Sequence, residues 1–251
     1  METLTVSRKQ DLLERAARLH KTGVFLPPDA RNYVQAFLHQ PFGFKDYQSA
    51  KEPVVDPREL YDLGEVAWLT VNSYNALVLN TSNMLIADID FGDERINRHA
   101  GARDCDDVLT NLDELETLDE NWFGFPDSDD DDKHDFRFAF QTYRVYRTHS
   151  GCRVICTSVT MPWEDRGWLA ERFMQFLRGD PDYIRLCRVQ KCYRARLTPK
   201  PWRDKGEGAH VCRLENVHCL LGDETVHPNL KEQIRLHDEL TLPENEWSQL
   251  A

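Results

Sequence analysis

The stretch that most constrains this chain lies at residues 84–91, where Leu85, Ala87, Ile89 and Phe91 alternate with Asp88 and Asp90. Successive side chains on a β-strand point to opposite faces. The four apolar residues therefore define a core-facing side, and the two carboxylates share the other. Like charges at neighbouring same-face positions repel, and each is costly to hold unpaired at the end of an apolar strand. A divalent cation removes both costs, and oxygen donors suit Mg²⁺ or Mn²⁺. The competing reading is an amphipathic strand end whose aspartates face water, because D-x-D alone is a short pattern.

Around this strand, helical and strand periodicities mix without regular βαβ alternation, which predicts an α+β fold. Helices are expected at residues 7–20, 29–39, 104–122, 162–177 and 228–240. The third is acidic and carries Val108, Leu112, Leu115 and Trp122 on its apolar side. Residues 66–79 read as one or two strands, and 193–197 and 209–221 as further strands. Phe136, Phe138 and Phe140 alternate with polar or small residues, so a hairpin is expected over 136–158, turning at His149-Ser150-Gly151. At 251 residues and 41% hydrophobic content, the chain is read as one domain: a helical N-terminal segment (1–60), a core (61–225), and a closing helix and tail (226–251).

The net charge of −12 argues against an anionic ligand until it is located. Residues 102–135 hold 14 acidic and 2 basic residues, enough to account for all of it. Residues 144–213 hold 15 basic and 7 acidic residues. The basic half therefore suits an anionic partner, and the tract at 127–135 reads as a charged loop too polar to pack.

The order of motifs along the chain resembles the archaeo-eukaryotic primase (primase-polymerase) superfamily. That pattern is a hydrophobic strand ending in D-x-D, a small-residue turn with a following His, a third Asp, and an Arg-rich strand leading to a Lys. Here these are Asp88 and Asp90, the turn at Ser150-Gly151 followed by Arg153, Asp182 with Asp180 as its near rival, then Arg194, Arg196 and Lys200. The resemblance covers roughly residues 83–200. It implies a primase-polymerase-like core with a mostly antiparallel, RRM-like sheet flanked by helices. It also implies metal ligation and catalysis by Asp88, Asp90 and Asp182, with Ser150, Arg153, Arg194, Arg196 and Lys200 binding nucleotide phosphates. The activity implied is two-metal nucleotidyl transfer onto a nucleic-acid strand, using Mg²⁺ or Mn²⁺. Its partners would be a nucleoside triphosphate, single-stranded or primed nucleic acid, and a helicase or nuclease protein.

The chain departs from the pattern at Arg153, where the family has His. Arginine binds phosphate bidentately but does not release a proton near neutral pH. This keeps open the alternative of a catalytically reduced module that binds nucleotide or nucleic acid within a larger complex.

Cys187, Cys192, His210, Cys212, His218 and Cys219 cluster in sequence without a C-x-x-C pair, so they read as small buried hydrophobes rather than structural zinc ligands. Seven cysteines without an evident framework, no N-terminal apolar leader and no apolar run near the roughly 18 residues of a membrane span predict reduced thiols and a cytoplasmic chain off the membrane. Gly92 two residues after Asp90 departs from the haloacid-dehalogenase pattern. No Gly-Ser element stands upstream, as polymerase-β-type transferases require, and residues 1–60 lack the βα alternation of nucleotide-sugar glycosyltransferases.

Overall fold

The structure, a computed structural model, describes residues 52, 54–55, 61–72, 76–91, 102, 104–115, 117, 137–148, 150–198, 212–218 and 225–242. The expected helices at 7–20 and 29–39, the acidic tract at 127–135, His149, Lys200 and His210 lie outside these residues.

In chain order the elements are β1 (Val54–Val55), β2 (Ala67–Val71), β3 (Leu77–Thr81), β4 (Ile86–Asp90), helix α1 (Cys105–Glu114), β5 (Thr142–Arg147), β6 (Gly151–Cys156), α2 (Trp163–Phe176), α3 (Pro181–Gln190), β7 (Tyr193–Arg196), β8 (Cys212–His218) and α4 (Lys231–Thr241). Short 3₁₀ turns occupy Phe138–Phe140 and Pro228–Leu230. The fold is α+β, and the described strands form two four-stranded antiparallel sheets where one was expected: β1-β2-β3-β7 and β4-β6-β5-β8. No described helix is long and apolar enough to cross a membrane.

The chain divides into two compact units. The first takes the described residues of 1–82, 186–211 and 232–251, the second those of 83–185 and 212–231. In the first unit, β2 and β3 pair in register from Ala67↔Thr81 to Val71↔Leu77, and β7 adds to the far side of β3. Leu69, Leu77, Leu79, Tyr193 and Ala195 are buried there with Ile234, Leu236 and Leu240 of α4. The Thr81 hydroxyl donates to Gln233 Oε1 at 2.7 Å, and the Tyr61 hydroxyl donates to the Glu239 carboxylate.

In the second unit β4 is an edge strand beside β6. Two elements meet one face of this sheet. Cys105 of α1 reaches Cys152 of β6, and Phe173 of α2 stacks on Tyr143 of β5 at 5.3 Å. Of the aromatic alternation, Phe138 and Phe140 do not continue the hairpin, and Phe136 lies outside the described residues. Phe138–Phe140 closes a 3₁₀ turn, and the strand starts at Thr142. Phe138 stacks on Phe173 at 4.5 Å, and its carbonyl accepts the Tyr143 hydroxyl at 2.9 Å. Burying the Phe138 ring against α2 outweighs a period-2 pattern only three residues deep.

Helix α3, absent from the sequence reading, follows from Asp180-Pro181. Asp180 precedes it with a side chain accepting the Asp182 N–H at 2.9 Å, and Pro181 sits where no N–H partner is needed.

Candidate functional site

Strand β4 is buried on both faces at its start and opens at its end: Ile86 and Ile89 are buried, Asp88 is half-buried and Asp90 is exposed. The two aspartates therefore stand on a common face, as the alternation requires. Directly across from Asp88 in β6 is Arg153, and across from Asp90 is Gly151. Arg153 Nε donates to Asp88 Oδ1 at 3.3 Å, with 4% of the arginine side chain exposed against 28% of the aspartate. Cross-strand partners share a face, so register alone delivers the guanidinium to the carboxylate.

Gly151 is required by this arrangement. A Cβ there would stand 1.9 Å from the Ile89 carbonyl oxygen. The turn before it is closed by Thr148 N–H donating to the Gly151 carbonyl at 2.9 Å, and the exposed Ser150 accepts Phe91 N–H through its carbonyl at 2.8 Å. Ser150 thus meets the D-x-D strand through its backbone.

The outer edge of β4 is covered by the segment that joins α2 to α3. Arg178 takes a left-handed conformation (φ 57°), and Gly179 N–H donates to the Met174 carbonyl at 2.7 Å. This ends α2 and turns the chain back toward β4. Asp180 N–H then donates to the Asp88 carbonyl at 2.9 Å, and the Tyr183 hydroxyl donates to the Ile86 carbonyl at 3.1 Å. Backbone groups that an edge strand leaves open are satisfied this way.

The same path brings a third carboxylate to the pair. Burial pushes the Asp180 carboxyl up to about 6; the Asp182 N–H opposes this, and the negative charges of Asp90, Asp182 and Asp88 add to it. Asp180, the near rival in the sequence, is the one tied to Asp88 by its backbone, whereas Asp182 lies exposed in the first turn of α3. The signal that distinguishes them is local: an Asp before Pro at a helix start turns its carboxylate back over the helix N-terminus.

Arg194 and Arg196 lie in the first unit, on one face of β7. Arg194 is buried, and its guanidinium donates to Glu52 Oε2 at 2.7 Å and to Gln190 Oε1 at 3.1 Å. Glu52 also accepts the Thr70 hydroxyl. The Arg194 side chain is thus held within its own unit, a buried ion pair that no motif reading anticipated. Arg196 is half-buried. Of the zinc candidates, Cys187 and Cys192 are buried and in no disulfide, and burial pushes Cys192 up to about 11.

Among the described residues no three of His, Cys, Asp and Glu stand close enough together to hold a metal ion. The oxygen donors of Asp88 and Asp90 suit a hard divalent cation, and Asp180 beside them resists ionising, chiefly through burial. Against this, the Arg153 guanidinium already places one positive charge at Asp88.

Compared with protein-family models, with curated proteins and with solved structures, the chain matches none.

Proposed function

We propose that the chain is a metal-dependent nucleotidyltransferase of primase-polymerase type, with Asp88 and Asp90 as its metal-holding pair and Asp180 beside them. The observation that carries this reading is the convergence of Asp180 on the end of β4, with its carboxyl held near 6 by burial and by the charges of its neighbours. A carboxylate kept reluctant to ionise in water is relieved by a divalent cation. Asp88 and Asp90 would hold the ion, with Asp180 beside them. Bound there, Mg²⁺ or Mn²⁺ would polarise a phosphoryl oxygen and activate an attacking hydroxyl. The chain's own contribution is to orient the carboxylates: β4 aims two of them, and the Asp180 hydrogen bonds fix the third.

A second reading is favoured by Arg153. A buried guanidinium on Asp88 supplies the neutralising charge without metal, which suits a primase-like module that binds nucleotide or nucleic acid without polymerising.

The two separate in one experiment. Wild type, Asp180→Asn and the double variant Asp88→Asn, Asp90→Asn are titrated with Mn²⁺, then incubated with labelled nucleoside triphosphates on primed and unprimed templates. Transferase activity lost in both variants supports the first reading. Nucleotide binding without product, unchanged by Mn²⁺, supports the second. Equal Mn²⁺ affinity across all three proteins removes the metal site.

A further inference from the structure

The carboxylate site leaves one close pair of oxidisable side chains unused. Cys105 is the first residue of α1, and Cys152 lies in β6 between Gly151 and Arg153. The Cys152 thiol donates to the Cys105 sulfur at 2.9 Å. This is closer than the van der Waals contact of two sulfurs and under about 1 Å longer than a disulfide bond of roughly 2.05 Å. The two residues are 47 apart in sequence and belong to different elements of the same unit, so their meeting is a product of packing.

The pair is also asymmetric. Cys105 is half-buried and open to a dissolved oxidant, whereas Cys152 is fully buried. Burial, and then its hydrogen bond to Cys105, push the Cys152 thiol up, so it waits in the protonated form. An accessible sulfur beside a sheltered one is the arrangement in which an oxidised first thiol is resolved by the second. Cys156, Cys187 and Cys192 are buried as well and form no disulfide.

We propose that Cys105 and Cys152 form a reversible dithiol–disulfide couple whose oxidised form ties α1 to β6. With hydrogen peroxide as oxidant, the Cys105 sulfur attacks one peroxide oxygen. The O–O bond breaks, a sulfenic acid forms and the first water leaves. The Cys152 sulfur then attacks the sulfenic sulfur. The S–S bond forms, the S–O bond breaks, and the Cys152 proton leaves with the departing hydroxide as the second water. The two thiols lose two electrons and the peroxide gains them. A small dithiol reverses the step by exchange and is itself oxidised to a cyclic disulfide. The tie falls on the residue of β6 between those that face Asp88 and Asp90, yet the couple stands independently of the nucleotidyl-transfer reading.

The test uses the full chain, reduced with dithiothreitol, desalted and exposed to hydrogen peroxide. Remaining thiols are blocked with N-ethylmaleimide, and the protein is digested without reductant for mass spectrometry. The expected dominant crosslink joins the Cys105 and Cys152 peptides, and dithiothreitol added to the folded protein restores both thiols. Cys105→Ser, at a half-buried position that spares the core, loses the crosslink while keeping the wild-type circular dichroism spectrum. Cys152→Ser stops at a Cys105 sulfenic acid that dimedone captures. The proposal is overturned if Cys105 proceeds to sulfinic acid while Cys152 stays a thiol. A dominant crosslink through other cysteines, or one that dithiothreitol cannot reverse in the folded protein, overturns it equally.

Discussion

Folding raises the Asp180 carboxyl from its usual 3.8 to about 6, chiefly by burial. A raised acid is harder to ionise in the folded state than in the unfolded one. Below pH 3.8 both states are protonated and the group is neutral to stability. As pH climbs to 6 the unfolded chain ionises first, so stability falls, and above 6 the loss is complete. Asp180→Asn keeps an acceptor for the Asp182 N–H and removes the charge. It is therefore expected to stabilise the protein by about 1–2 kcal/mol at pH 7, allowing for partial exposure, and to change nothing at pH 3.5. Thermal melts of both proteins from pH 3.5 to 7.5 check this, and parallel curves would show that Asp180 does not titrate as described. Asp88 and Asp90 differ in a second way. Removing Asp88 takes a carboxylate away from a guanidinium that is 4% exposed, whereas Asp90 lies open to water. Asp88→Ala is expected to cost roughly 2–4 kcal/mol in urea denaturation, and Asp90→Ala less than about 1 kcal/mol. Similar costs for the two would mean that the Arg153 contact contributes little.

Between elements, the closest constraint is the approach of β4 to β6 at Gly151. A methyl group there meets the Ile89 carbonyl oxygen, a backbone atom that cannot rotate away. Gly151→Ala should cost roughly 3 kcal/mol or more and loosen the strand end that carries Asp90. Amide exchange at Ile89 and Phe91 is the direct readout, and unchanged protection would refute the close approach. The α1–β6 contact predicts the opposite effect. A Cys105–Cys152 bond closes a loop between residues 47 apart, which on the chain-entropy account stabilises by about 4 kcal/mol. Oxidised protein should therefore melt higher than reduced protein, and equal melting temperatures would leave the bond without mechanical effect. Element boundaries at β4, β6 and α2 were legible because each pattern runs long enough to fix its period, whereas residues 66–79 read only as one or two strands and the break between β2 and β3 was not marked. The Phe136–Phe138–Phe140 pattern was too short, and the ring of Phe138 went to α2 instead.

The units interleave along the chain. It leaves the first after Ser82, returns at Leu186, leaves again after Val211 and returns at Glu232. Neither unit is a continuous segment. A fragment covering residues 83–185 lacks β8, which pairs with β5 from Thr142↔His218 to Arg147↔Cys212. Such a fragment is expected to lack the cooperative unfolding transition of the full chain, and a sharp native-like melt would show that β8 is dispensable. The first unit has a comparable long-range tie in Glu52, Thr70 and Arg194. Glu52→Ala removes the carboxylate from the buried Arg194, which keeps its bond to Gln190, and should destabilise by about 3 kcal/mol.

By itself, the sequence determined what local periodicity and local chemistry can encode. It specified an α+β chain, an apolar strand presenting Asp88 and Asp90 on one side, and a hairpin turning at Ser150-Gly151. Its Asp180-Pro181 step also carries a helix start that local rules can read. The tertiary structure alone decided which distant groups meet: Arg153 with Asp88 across a strand register, Arg194 with Glu52, Asp180 with the edge of β4, and Cys105 with Cys152. These contacts depend on strand order and on the packing of helices against sheets. Those in turn follow from the burial of many side chains at once, which no short motif records.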